Sequence, residues 1–175
     1  MFILYIFIAV FLSLTVYYSL KLNANIPITW AATRGNTKKV KKILAKGGNP
    51  DYVNASGYTA LLLASFGGYR EIVSLLIDAG AKVDCSDKEG HTPLMLAALN
   101  GHSEVCSLLI KAGANINAAD EEKNTALMLC AANGHNQTVR LLLKSGANKK
   151  LKDSQGRKAK DFALSKGYKE LAAEL

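Results

Sequence analysis

Side chains able to do covalent or metal chemistry are sparse in this chain. The cysteines are Cys85, Cys106 and Cys130, and the histidines are His91, His102 and His135. A thiol nucleophile needs exposure and a neighbouring base. Cys106 and Cys130 instead fall on core-facing positions of apolar segments. Zinc needs ligands paired at short spacing, and the sequence has no C-x-x-C. An odd, scattered set of thiols is no disulfide framework either; it reads as buried or incidental thiols in a reducing compartment. The spacing assembles no Ser/His/Asp or Cys/His set, no phosphate-cradling glycine loop and no metal-ligand cluster. The expectation is a protein without catalytic residues, metal, cofactor or small-molecule substrate.

Contact chemistry is better represented. Tyr58, Phe66 and Tyr69 cluster within a short stretch, and exposed aromatics are common binding anchors, although they could equally pack between neighbouring elements. The triplet Asp120-Glu121-Glu122 reads first as a solvated loop and second as a site for a basic partner. Net charge is +8, unevenly spread: residues 1–51 carry +6, residues 52–143 carry −3 and residues 144–175 carry +5. Basic ends suggest nucleic acid or anionic membrane, but the acidic centre makes nucleic-acid binding the weakest reading; salt-insensitive binding would count against it.

The elements that position these groups begin with an apolar segment. Met1 to Leu20 carries no charged side chain. Twenty helical residues reach about 30 Å, the thickness of a bilayer's hydrocarbon core. A signal peptide would start with basic residues and end at a small-x-small site; here Leu22 sits two residues before the best candidate, Ala24. The favoured expectation is an uncleaved transmembrane anchor over 1–20, with Tyr17-Tyr18 at the interface and a linker over 21–25. Lys21, Arg34, Lys38 and Lys39 follow it, so the positive-inside bias places the remainder in the cytoplasm. The alternative is cleavage and a periplasmic or secreted product.

Past residue 25 the chain repeats itself. Gly35, Gly68, Gly101, Gly134 and Gly167 are each 33 residues apart, within segments such as YTALLLASFGGY (58–69), HTPLMLAALNGH (91–102) and NTALMLCAANGH (124–135). A second frame follows each glycine: VSLLIDAGAKVD (73–84), CSLLIKAGANIN (106–117) and VRLLLKSGANKK (139–150). Thr59, Thr92 and Thr125 are placed to cap a first helix, with Pro93 at its first position. Ala64-Ser65, Ala97-Ala98 and Cys130-Ala131 let neighbouring helices approach. A second helix turns Val73, Leu76 and Ile77 to the core, and Gly-Ala pairs end it. No unit can bury its own apolar stripe, so stability must come from stacking.

These residues closely resemble the ankyrin repeat, whose pattern is approximately D-x-x-G-x-T-P-L-H-x-A-A-x-x-G-H followed by an LL-x-x-G-A segment. The resemblance covers 26–175, in units of about 26–51, 52–84, 85–117, 118–150 and 151–175. It implies an all-α solenoid of five stacked helix-turn-helix units with protruding loops, used for non-catalytic recognition of other proteins. There are departures. The family histidine is replaced by Thr29, Leu62, Met95, Met128 and Asp161, which predicts looser coupling between loops. Lys123 replaces a loop glycine. Lys158, Lys160 and Asp161 make the last unit polar, as in a water-facing cap.

In this family the partner is usually gripped by loop tips and the exposed side of the first helices. Carried onto this chain, those positions are Ala55, Ser56, Tyr58 and Phe66, with Tyr69 nearby in the same aromatic cluster; Lys88, Glu89, His91, Leu99 and Asn100; and Glu121, Glu122, Asn124 and Asn133. His102 and His135 are expected to be structural. Lys38, Lys39, Lys41, Lys42 and Lys46 surround apolar Val40, Ile43 and Leu44 on one predicted helix. They are either a solvated outer face or, because 21–25 span at most about 18 Å, a surface held against anionic lipid. The expected function is a membrane-anchored scaffold or adaptor for another protein; the alternative is an exported effector with the same surface.

Overall fold

The computed structural model describes residues 28–175. The expected anchor at 1–20 and linker at 21–25 lie outside the described residues. Within them, no helix is long and apolar enough to cross a membrane. Residues 28–33 are helical and form α1. There follow α2 (Thr37–Ala45), α3 (Ala60–Phe66), α4 (Arg70–Asp78), α5 (Pro93–Leu99), α6 (Ser103–Lys111), α7 (Ala126–Ala132), α8 (Asn136–Lys144), α9 (Ala159–Ser165) and α10 (Lys169–Glu174). The described residues contain no strand, and their one isolated β-bridge joins Ala119 to Thr125.

Short helices start where the sequence places a cap. The hydroxyls of Thr59 and Thr92 accept from the amides of Leu62 and Met95, both at 3.3 Å, while Pro93 occupies the first position of α5. Thr125 departs from expectation: it keeps the extended backbone of a cap but makes no side-chain capping bond. In the last pair, the Lys158 amide donates to Asp161 Oδ2 at 2.8 Å, and Lys158, Lys160 and Asp161 are all exposed.

Packing runs in two layers. Helices α3, α5, α7 and α9 stack in one, α2, α4, α6 and α8 in the other, and α10 rests on α9. The paired small residues Ala64-Ser65, Ala97-Ala98 and Cys130-Ala131 are fully buried in the first layer, so no side chain holds those helices apart. In α4 the buried stripe is Ile72, Val73 and Leu76. Ile77, expected in that stripe, is only partly buried and packs at its edge. Helix α4 packs against α2, α3 and α6, and Ile72 takes the buried place expected for Ile77.

Polar links clip successive units together. Asp51 Oδ1 accepts from the Lys82 amide at 2.8 Å, Asp84 Oδ1 from Asn115 at 3.0 Å and Asn117 Oδ1 from Asn148 at 2.8 Å. His102 Nε2 donates to the Phe66 carbonyl at 3.1 Å and His135 Nε2 to the Leu99 carbonyl at 3.0 Å. The loops are joined directly, through Glu121 N to Glu89 O at 3.1 Å and Ser154 N to Glu122 O at 2.8 Å. The predicted loosening is therefore offset: main-chain pairs tie the loops without the family's histidine.

Lys123 stands where other loops have glycine, and among the described residues it alone combines a side chain with positive φ, at 62°. A left-handed conformation costs an L-residue roughly 1–2 kcal/mol, and glycine's greater freedom in the unfolded chain takes back part of that. Lys123→Gly is expected to raise the unfolding free energy by about 0.5–1 kcal/mol in urea titration. A loss of stability would mean that the side chain holds the loop.

Candidate functional site

The first helices and the loops that precede them form one continuous face, and recesses open along it. Between α3 and α5 lies a groove of about 540 Å³, walled by Tyr58, Leu62, Leu63, Phe66, Leu96 and Leu99, with Asp87, Glu89 and His91 at one end. Phe66 closes the last turn of α3 and is 52% exposed, although it is one of the larger apolar side chains in the protein. The next recess along, about 280 Å³, is lined by Glu89, His91, Asp120, Glu121, Glu122, Asn124 and Leu129. A third, about 390 Å³, lies between α1 and the first loop and includes Trp30, Tyr52 and Asn54.

Each loop is braced by one Asp or Asn. Asn54 Oδ1 accepts from the amides of Ser56 and Tyr58, both at 3.0 Å. Asp87 Oδ1 does the same with Glu89 at 3.1 Å and His91 at 2.8 Å, and its Oδ2 lies 3.1 Å from His91 Nδ1. The other face of the imidazole turns to the neighbouring loop, with Nε2 3.7 Å from Asp120 Oδ2. The Asp87 and Asp120 side chains are 3% and 5% exposed, so His91 sits between two nearly buried carboxyl groups of successive units. Asp87, Glu89 and His91 bring ligand-type atoms within 4.8 Å of one another, a grouping that sequence spacing did not suggest. The atoms of Asp87 and the Nδ1 of His91 are already engaged in the brace, so the arrangement reads as a hydrogen-bonded brace within its own loop.

The structure sorts the expected contact residues. Tyr58, Phe66, Glu89, His91, Glu121, Glu122 and Asn124 line the two central recesses. Asn124 also braces its loop, donating from Nδ2 to Asp120 Oδ2 at 3.0 Å. Lys88 is exposed but lies with its aliphatic stem over Gly57. Asn100 donates from Nδ2 to the carbonyls of Phe66 and Leu96 at 3.1 and 3.3 Å, which holds the end of α3 against α5. Asn133 donates to the Leu129 carbonyl at 2.9 Å within its own unit. Tyr69 lines none of the described recesses. It is half-buried, its ring covers Gly35 and Gly67, and it occupies the place that His102 and His135 take in later units. Its role is to seal adjacent units.

Trp30 was not singled out by sequence. It is 46% exposed and carries two cations on its ring, with Arg34 Cζ at 4.6 Å and Lys39 Nζ at 4.4 Å from the centroid. The signal available was the Trp30–Arg34 spacing of four, one helical turn. Lys38, Lys39, Lys41, Lys42 and Lys46 are all exposed on or just past α2, while Val40 is fully buried.

Two of the three thiols, Cys106 and Cys130, are sealed. Burial pushes Cys106 up to about 12 and raises Cys130 further still. Cys85 is half-buried, its thiol raised chiefly by burial, with Sγ 3.3 Å from Thr59 Oγ1. An aromatic disulfide reagent at pH 8 is expected to modify Cys85 first, and Cys106 and Cys130 only on unfolding. Fast labelling of all three in the folded chain would contradict this packing.

A family model described as ankyrin repeats (3 copies) matches residues 28–120 and 118–175. No curated protein matches the chain. The matched segments span every described helix, and with the two-layer stack and the loop-and-first-helix face they establish that this chain belongs to the ankyrin-repeat family.

Proposed function

We propose that this chain is a non-catalytic scaffold or adaptor whose face of loops and first helices captures another protein. The family supplies the general role, protein–protein interaction. The observation that carries the reading here is the open groove at Phe66: a large aromatic left half in water beside Leu63 and Leu99 is an anchor for a partner. The sealed Cys106 and Cys130 thiols and the two histidines bound to carbonyls fit a surface that holds rather than reacts. Proximity labelling with the full chain should mark a partner set that is lost in Tyr58→Ala/Phe66→Ala, with helical circular dichroism unchanged. An identical set in the variant would remove the groove from the recognition surface.

The reading includes a membrane address: residues 1–20 anchor the chain and the repeats face the cytoplasm. It is supported by twenty residues without a charged side chain, long enough to cross a bilayer, and by the exposed Lys row of α2 beside Trp30. Tryptophan and lysine together suit an anionic interface. After carbonate washing the chain should stay with the membrane fraction, with its N-terminal sequence intact. A soluble form starting near residue 25 would favour the exported alternative. Replacing Lys38, Lys39, Lys41, Lys42 and Lys46 with Gln should weaken binding to phosphatidylserine vesicles if that row touches lipid.

A further inference from the structure

We infer that the Phe66 groove and the acidic recess beside it together take an extended segment of a partner protein that carries an apolar side chain with a Lys or Arg about three positions away. This rests on the recognition reading above and adds the chemistry of the occupant. The two recesses share Glu89 and His91 in their walls, so they are adjacent, and a ligand lying in one reaches the other by passing over those two side chains. One side offers Leu62, Leu63, Phe66, Leu96 and Leu99, which recognise an aliphatic or aromatic group by burial alone. The other presents Glu89, Glu121 and Glu122, all exposed, and none of the ion pairs among the described residues engages them.

Asp120 is differently placed. Its carboxylate already accepts from the amide and Nδ2 of Asn124, so it shapes the recess while the three glutamates supply the open charge. The neighbouring basic side chains are Lys88, whose stem lies over Gly57, Lys123, which is exposed, and His91, which faces Asp87 and Asp120. Residues 52–143 carry net −3 in a chain that is +8 overall. An acidic ligand would be repelled here, while a guanidinium or ammonium would meet three carboxylates in succession.

The spacing follows from the repeat. Packed helices of successive units stand about 8–10 Å apart. An extended chain of the polyproline II kind advances about 3.1 Å per residue and returns every third side chain to the same face. Moving one unit along the face therefore takes about three residues of an extended ligand, whereas a helical ligand at 1.5 Å per residue would need about five to seven.

The test is to pan a random dodecapeptide library against the immobilised full chain and measure the enriched peptides by fluorescence polarisation. The expected result is enrichment of an apolar residue with Lys or Arg about three positions away, the spacing that puts both on one face of a polyproline II chain. Phe66→Ala should weaken such a peptide about tenfold, and raised salt should weaken it as well. Glu89→Lys/Glu121→Lys/Glu122→Lys should bind it poorly, yet recover affinity for the matching peptide with its basic residue changed to Glu. That exchange of preference is something a merely unfolded variant cannot produce.

Peptides that depend on Phe66 but lack a basic residue, or that space it by about seven as in a helix, overturn this inference and leave the groove as a recognition site. Peptides indifferent to Phe66→Ala, or no enrichment, overturn both. Self-association of the chain at low salt that disappears in Phe66→Ala would make a basic end of a second copy the occupant, and the partner segment proposed here would fall.

Discussion

Leu109→Ala is expected to lower the unfolding free energy by about 3 kcal/mol, near the middle of the range for large-to-small changes at fully buried sites. Leu76, Leu109 and Leu142 recur at 33-residue intervals and each is 0% exposed. Leu109 lies on α6, which packs between α4 and α8, so the cavity opens at the centre of the second layer with neighbours on both sides. A repeat array is stabilised by interfaces between nearest neighbours, and this one change weakens two of them. Urea titration followed by circular dichroism measures the loss. A loss below about 1 kcal/mol would mean that the site collapses freely, which a close-packed second layer does not allow.

Gly101→Ala is the second large effect, expected at about 2–3 kcal/mol, and its matched control is Gly113→Ala. Both glycines have positive φ, 72° and 91°, so both variants bear the left-handed penalty of roughly 1–2 kcal/mol. They differ in what a new methyl group meets. At Gly101 it would stand 2.6 Å from Nδ1 of His135, whereas at Gly113 nothing lies within 4 Å. The His135 ring must then move, and its bond to the Leu99 carbonyl at 3.0 Å is lost, a further contribution of about 1 kcal/mol. Thermal unfolding of the two variants side by side isolates the histidine clip as their difference. Equal losses would show that the clip contributes nothing.

The divide between what could be read and what could not runs through individual residues. Thr59, Thr92, Pro93 and the spaced glycines act on their own backbone within a turn, and local chemistry of that kind is written in adjacent letters. The burial of Cys106, Cys130 and the paired alanines was legible for a similar reason: a period of 33 residues requires every unit to present the same edges to its neighbours. Thr125 and Ile77 were read less well, because a missing capping bond or a stripe rotated by one residue depends on the packing angle of the adjoining helix.

The candidate site belongs to the other class. Phe66 and Tyr69 are three letters apart and read alike, yet Phe66 is left half in water while Tyr69 folds over Gly35 of the preceding unit. His91 acquires its meaning from Asp120 in the next loop, and Trp30 from the cations that curl onto its ring. Composition, period and caps were therefore enough to say that the chain stacks like helical hairpins, while the recognition role came from the resemblance to the ankyrin repeat. Which side chains that surface keeps depends on contacts between units, about one repeat apart along the chain, and single-sequence pattern carries no term for the neighbour that covers one aromatic and spares another.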